Sequence, residues 1–332
     1  MEIKPDELVI AGDIGGTKTT LGIFSAGEKK PIEHLTRTYE SGSVPSLEKL
    51  LEDFVTVRPG PLRAACFGVA GPVVNGRCKT TNLPWEVSES GISRLFGWRR
   101  VKLVNDLAAT ATALPLLSSK ELHVLNKARS AAGAPVAVVA PGTGLGMAFL
   151  IPHGKEMLPV SSEGGHMDFP PILDGHCSLW RELKNRFGHV SIERVVSGPG
   201  LLDLYRWLRR ESGIAEPEWL STELSTGDPA EVVSTTGLER RDSVCTEAMR
   251  HFVRILGSVC GNAALMLVAR GGLYLGGGIP PKILPLLDDG GFIEAFCDKG
   301  RFSGLMRDIP VRVIMNPRAA LLGAARVALD MR

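Results

Sequence analysis

The chain has 332 residues, 44% of them hydrophobic and 22% charged, with a formal net charge of +2. That length exceeds what one hydrophobic core ordinarily serves, so two domains are expected. A charge this close to balance argues against nucleic acid or an anionic membrane surface as partner. The longest apolar stretch, GSVCGNAALMLVARGGLYLGGG, is broken by Arg270 and by glycines, which argues against a membrane span.

Residues 8 to 24 read as a hairpin, VIAGDIGGTKTTLGIF, turning at Gly15, Gly16 and Thr17. SLEKLLEDFV (46 to 55) carries apolar residues at helical spacing. AACFGVAG (64 to 71) is a buried strand stopped by Gly71 and Pro72. VKLVND (101 to 106) is a short strand leading into the helix LAATATALPLL. The first half therefore alternates strand and helix, as α/β folds do. Pro115 marks a change of regime, and LNKARSAAGAP (125 to 135) reads as a polar connector. A second apolar hairpin, 136 to 151, turns at Gly142, Thr143 and Gly144. Residues 176 to 210 are helical in pieces, with a break at SGPG (197 to 200). Residues 211 to 240 read as loops and short helices. A long helix fits 243 to 270, with Val253, Leu256 and Cys260 on one stripe and Phe252, Ile255 and Val259 beside it. GLYLGGGIP is a strand ending in a third glycine turn, Gly276 to Gly278. NPRAALLGAARVAL is an amphipathic helix able to pack on either half.

Six cysteines, Cys66, Cys78, Cys177, Cys245, Cys260 and Cys297, form no C-x-x-C pair. The start, MEIKPDELVI, is acidic and passes straight into a strand. Together these point to a reducing cytoplasm.

Two like turns in two halves of one chain predict a duplicated fold that grips one ligand from both sides. Backbone N–H groups freed at glycine turns suit phosphate, so the ligand is read as a nucleotide. Neither turn is a Walker A loop, because Lys18 and Thr19 fall at the wrong spacing and a strand follows. Neither is the strand-to-helix dinucleotide fingerprint. One such turn alone would be an ordinary structural hairpin; the second copy favours the ligand.

Four polar features stand in apolar or glycine-rich surroundings. Asn105-Asp106 ends a strand, where Asp106 can serve as a general base toward a hydroxyl or the pair can cap the helix that follows. Glu163-Gly164-Gly165-His166-Met167-Asp168 is a turned cluster able to hydrogen-bond a polyol, or His166 is a packing histidine. Its spacing is wrong for H-E-x-x-H, with His176 and Cys177 the nearest further zinc donors. Glu193 is either a surface glutamate or a ligand-binding one. Asp13, at a strand end beside the first turn, holds Mg²⁺ through water or shapes the hairpin. The sum is a two-lobe ATP-binding protein that transfers a phosphoryl group to a hydroxyl, a chemistry of positioning, charge neutralisation and one base.

The segments GDIGGTKTTLGIF, FGVAGPV, TNLPWEVS, LVNDLAA, APGTGLGMAF, SSEGGHMDF, ERVVSGPGL and YLGGGIPPKI, spread over residues 12 to 280, resemble the bacterial glucokinases of the hexokinase–actin superfamily, in the group without the zinc-binding cysteine cluster. That resemblance implies an α/β, actin-like (ribonuclease H-like) ATPase fold with two lobes around a cleft. The small lobe would be 1–115, completed by 316–332, and the large lobe 116–315. It implies an ATP:D-glucose 6-phosphotransferase with Mg²⁺, working as a cytoplasmic homodimer. Asp106 would be the base. Asn105, Glu163, His166 and Glu193 would hold sugar hydroxyls. Gly15, Gly16, Thr17 and Lys18 would form one phosphate loop and Gly142, Thr143 and Gly144 the other. Gly277 and Gly278 would lie on the adenosine side. Lys18 departs from the asparagine frequent in this group and matches the related repressor–kinase family. That family's zinc motif is cysteine-rich, and DGHCSLW offers Cys177 alone, so no structural zinc is expected. Only eleven residues precede Gly12, too few for a DNA-binding helix-turn-helix. A kinase for another hexose, an actin-like ATPase and a sugar-sensing protein are the competing readings.

Overall fold

The computed structural model describes residues 8–56, 62–80 and 83–331. Thr81 and Asn82 of the TNLPWEVS segment lie outside the described residues, as does the MEIKPDE start. The chain divides into two compact units. One runs to Glu121 and takes in Pro159–Ser161 and the segment from Asn316 onward; the other comprises Leu122–Leu158 and Ser162–Met315.

The first unit contains β1 (Leu8–Ile14), β2 (Lys18–Ser25), β3 (Ile32–Glu40), α1 (Leu47–Val55), β4 (Leu62–Val69), β5 (Arg77–Lys79), β6 (Glu86–Ser88), α2 (Glu89–Phe96), β7 (Val101–Asn105) and α3 (Asp106–Ala113). Its main sheet runs β3-β2-β1-β4-β7, with β5 and β6 as a separate pair. β1 to β3 form an antiparallel meander, while β4 and β7 join β1 in parallel. Period-two alternation decides what β1 buries. Leu8, Ile10 and Ile14 pack with Leu47, Leu50, Leu51 and Phe54 of α1, an i, i+3, i+4, i+7 stripe. Each such side chain contributes about 1.5–3 kcal/mol of burial before entropy is charged. Val9 and Ala11 turn to the opposite face, beside Ala109 of α3. Asp13 shares their parity and so lies on the α3 face.

The second unit contains β8 (Leu122–Asn126), β9 (Val136–Pro141), β10 (Leu145–His153), β11 (Glu156–Ser162), α4 (His176–Phe187), α5 (Gly198–Ser212), α6 (Glu218–Thr226), α7 (Pro229–Leu238), α8 (Ser243–Leu267), β12 (Gly272–Leu275), α9 (Leu284–Leu287), α10 (Gly291–Cys297), α11 (Ser303–Arg307) and β13 (Val311–Ile314). Its sheet runs β11-β10-β9-β12-β13-β8. β9 and β10 are antiparallel, and β12 and β13 continue in parallel with β9. Setting β8 aside, both sheets have the same order: third, second, first, fourth, fifth. This is the ribonuclease H-like core twice over.

The last helix, α12 (Ala319–Asp330), packs in the first unit. Leu321, Ala324, Ala325 and Ala328 close over Val9, Ala11, Ala64 and Cys66, and the small residues let it approach Ala109 of α3. Three sequence expectations need correcting. SGPG is the start of α5 rather than a break: Ser197 caps it by accepting from the Gly200 N–H, and Pro199 is tolerated because first-turn amides have no helical acceptor. Leu125 and Asn126 belong to β8 and not to a connector, since β13 offers them an edge to pair with. The long helix stops at Leu267, where Val268 turns left-handed at φ 48°. Among the described residues no helix is long and apolar enough to cross a membrane.

Candidate active site

In the first unit the candidate residues gather at the carboxyl ends of β1 and β7. Strand register places Asp13 beside Gly68, and Gly68 beside Val104. Asn105 closes β7 and caps α3, its Oδ1 accepting from the N–H groups of Leu107 and Ala108 at 3.0 and 3.2 Å. Its Nδ2 donates to the Gly71 carbonyl at 3.3 Å. The helix-cap reading therefore holds for Asn105. Asp106 opens the helix, and its Oδ1 also accepts from the Leu107 N–H at 2.9 Å. A carboxylate in a helix first turn is favoured by the helix dipole. Burial, followed by repulsion from Asp106, pushes the Asp13 carboxyl up to about 7.

The turn between β1 and β2 is closed by Gly15 N–H donating to the Lys18 carbonyl at 3.0 Å. That leaves the amides of Gly16 and Thr17 without a backbone acceptor among the described residues, and Thr17 and Lys18 exposed. A residue absent from the sequence reading braces this turn. Ser41 is fully buried, donates Oγ–H to the Gly15 carbonyl at 2.8 Å, and meets the Thr19 hydroxyl at 2.9 Å. Its backbone N–H holds the Thr17 carbonyl at 2.8 Å. The only signal in the sequence is a polar Ser-Gly-Ser.

In the second unit the turn between β9 and β10 is closed by Gly142 N–H donating to the Gly144 carbonyl at 2.8 Å. The Gly142 carbonyl accepts from the Gly198 N–H at 2.9 Å. Thr143 projects to solvent. Gly277, at φ 80°, lies so close to the Pro141 carbonyl that a side chain there would overlap it. A Cβ on Gly142 or Gly278 would meet open space, so packing does not account for either glycine.

Glu163 precedes and His166 ends a short 3-10 turn, Gly164–His166. Both are exposed, with Glu163 Oε2 and His166 Nε2 3.9 Å apart. Backbone pairing brings Glu193 to this turn. Phe169 N–H donates to the Val190 carbonyl and Ile192 N–H to the Met167 carbonyl, each at 2.9 Å. His189 adds a ring contact to the His166 carbonyl at 2.9 Å. The half-buried Glu193 accepts from the Leu145 N–H through Oε2 at 2.9 Å. Within this unit, then, Glu163, His166, Glu193 and the Gly142–Gly144 turn form one constellation, with Gly277 against its base. Asp168 is drawn to His189, at 3.4 Å. His176 is buried, its Nε2 2.8 Å from His251 Nδ1, while Cys177 is exposed. Among the described residues no group of three or more His, Cys, Asp or Glu could hold a metal ion.

Comparison with known proteins bears on this geometry. A family model described as Glucokinase matches residues 10–331. A glucokinase of Synechocystis sp. is 38% identical over 341 residues, covering 95% of this chain and 96% of the relative. The crystal structure of a glucokinase from an Antarctic psychrotroph superposes with a TM-score of 0.85 at 30% identity, covering 98% and 99% of the two chains. A glucokinase of the repressor–kinase (ROK) family from Streptomyces griseus, solved with glucose and AMPPNP, shares the fold at a TM-score of 0.66 and 20% identity, covering 98% of this chain and all of that one. With two ribonuclease H-like cores, two glycine turns and a match along nearly its whole length, the chain belongs to the glucokinase family.

Proposed function

We propose that the protein transfers the terminal phosphoryl group of ATP to the 6-hydroxyl of D-glucose, giving ADP and glucose 6-phosphate. This would be the entry reaction of glycolysis, run in the cytoplasm by a homodimer. One observation carries the reading. Glu163, His166 and Glu193, read as the hydroxyl-binding side chains, gather about the Gly142–Gly144 turn, whose Thr143 and Gly144 N–H groups have no backbone acceptor among the described residues. A polyol acceptor and a phosphate donor thus have their recognition groups in one constellation.

Asp106 takes the proton of the 6-hydroxyl as the oxygen attacks phosphorus and ADP departs. Glu163 and Glu193 accept from the sugar hydroxyls, and His166 donates to or accepts from one. Asn105 acts by capping α3, which fixes Asp106, and its Nδ2 is the group it has to offer the sugar. The amides of Gly16 and Thr17 and those of Thr143 and Gly144 receive phosphate oxygens, and Gly277 and Gly278 form the adenosine side. Lys18, exposed beside the first turn, adds a positive charge there. Asp13 fits a water-mediated hold on Mg²⁺, because a cation relieves the repulsion between two neighbouring carboxylates and Mg²⁺ needs only one or two of them besides phosphate and water. When bound, Mg²⁺ supplies neutralisation of phosphate charge.

The test is a coupled assay over glucose, mannose, glucosamine and fructose, each with ATP, ADP and polyphosphate as donors. Glucose with ATP should give the highest kcat/KM. A higher value for another hexose, or nucleotide hydrolysis without regard to sugar, would overturn the assignment.

A further inference from the structure

The backbone of Leu145 is held on both sides by the sugar-binding segments. Its N–H donates to Glu193 Oε2 at 2.9 Å. Its carbonyl lies against Gly165, so close that a Cβ at 165 would overlap the oxygen. Leu145 is also the first residue after the Gly142–Gly144 turn, whose own carbonyl at Gly142 is held by Gly198 N–H. Between these two grips lies the stretch Glu193–Gly198. Ser197 fastens it, donating Oγ–H to the Glu193 carbonyl at 2.7 Å and capping α5 through the Gly200 N–H at 3.1 Å. Ser197 is 2% exposed. Gly144 completes the lock, since a Cβ there would stand 2.5 Å from Glu193 Oε2.

We infer that Glu193 is a latch as well as a sugar ligand: its carboxylate couples occupancy of the sugar position to the shape of the 142–145 phosphate loop, with Ser197 as positioning residue. The inference rests on the sugar and phosphate roles proposed above. A carboxylate that accepts from Leu145 N–H with one oxygen and from a sugar hydroxyl with the other is placed by both partners at once. Ordering it for one ligand lowers the cost of ordering it for the second. Coupling of this kind is reciprocal in the two affinities.

The test is calorimetric titration of glucose with and without AMPPNP, and of AMPPNP with and without glucose, so that turnover plays no part. In the unmodified protein each ligand should tighten the other by the same factor, about fivefold or more. Gly144→Ala, a change in the phosphate loop, pushes the Glu193 carboxylate aside. It should weaken glucose binding in the absence of nucleotide and bring the factor toward one. Glu193→Gln keeps an acceptor for Leu145 N–H, so it should bind glucose more weakly yet retain the factor. If circular dichroism shows that Gly144→Ala does not fold, Ser197→Ala replaces it and should also lower the factor. A factor of one in the unmodified protein, or an unchanged factor in the folded loop variant, overturns the latch alone. Unchanged glucose affinity in Glu193→Gln overturns the sugar role and the latch with it.

Discussion

The two units share a strand order and a glycine turn between their first two strands, yet they brace that turn in different ways. In the first unit the braces are hydroxyls: Ser41 and Thr19 are fully buried under the turn, 2.9 Å apart, and Ser41 donates to the Gly15 carbonyl. In the second the brace is the carboxylate of Glu193, on a segment whose backbone pairs with the residues just after Glu163 and His166. A duplicated fold has thus been given two loops with different duties. Under the proposed function, one would answer to the nucleotide alone, and the other to the nucleotide and the sugar together. The first unit also carries a pair of carboxylates, Asp13 and Asp106, that the second lacks at the corresponding strand end.

The sharpest break of the comparison is at Asp106. Asp106→Asn should keep the cap provided by Asn105 and hence the fold, while kcat falls by roughly 10² or more. Near-normal turnover would leave Asp106 as a helix-terminus residue only. Next in size, Glu163→Gln or His166→Ala should raise the glucose KM by about tenfold or more and leave the ATP KM far less affected. An equal rise in both would merge the sugar turn with the nucleotide loop.

Ser41→Ala sharpens the contrast from the other side. It removes the hydroxyl that ties Thr19 to the Gly15 carbonyl, at a cost to stability of about 1–3 kcal/mol. The ATP KM should rise by a few-fold, and the glucose KM measured at saturating ATP should stay put. A matching change in the glucose KM would show that the first turn also senses sugar.

The smallest effect is on pH stability and lies wholly in the second unit. Burial, with a contribution from His251, pushes His176 down from 6.5 to about 4. Between those values the unfolded chain binds a proton that the folded chain refuses, so stability is lost as pH falls from 6.5 toward 4. His176→Gln should flatten that part of a melting-temperature profile against pH.

Much of this was legible in the sequence, and the exceptions have a common cause. Both glycine hairpins, α1, α3 and α8 announce themselves because their apolar residues repeat with the period of the buried face. The strands Ile32–Glu40, Leu122–Asn126 and Glu156–Ser162 do not, because each is an edge strand with much of its surface in solvent. They are strands because a neighbour offers hydrogen bonds, which composition does not record. The same split runs through the candidate site. Asp106, Glu163, His166 and Glu193 could be named because they carry chemistry in their side chains. Asn105 and Asp106 posed a choice between base and cap, and the fold gives the cap to Asn105. Leu145 could not be found, since it takes part only through its backbone. Ser197 had a signal, a serine two residues before a proline at a helix start, which reads as a break when glycine and proline are weighed first.

The central claim is transfer to one oxygen of one sugar, and phosphorus NMR of the running reaction tests it most directly. With glucose, ATP and Mg²⁺ the account predicts a phosphate ester on O6 growing in step with ADP, and ATP left intact when glucose is withheld. Inorganic phosphate released without an ester, or an ester on another oxygen, would contradict it.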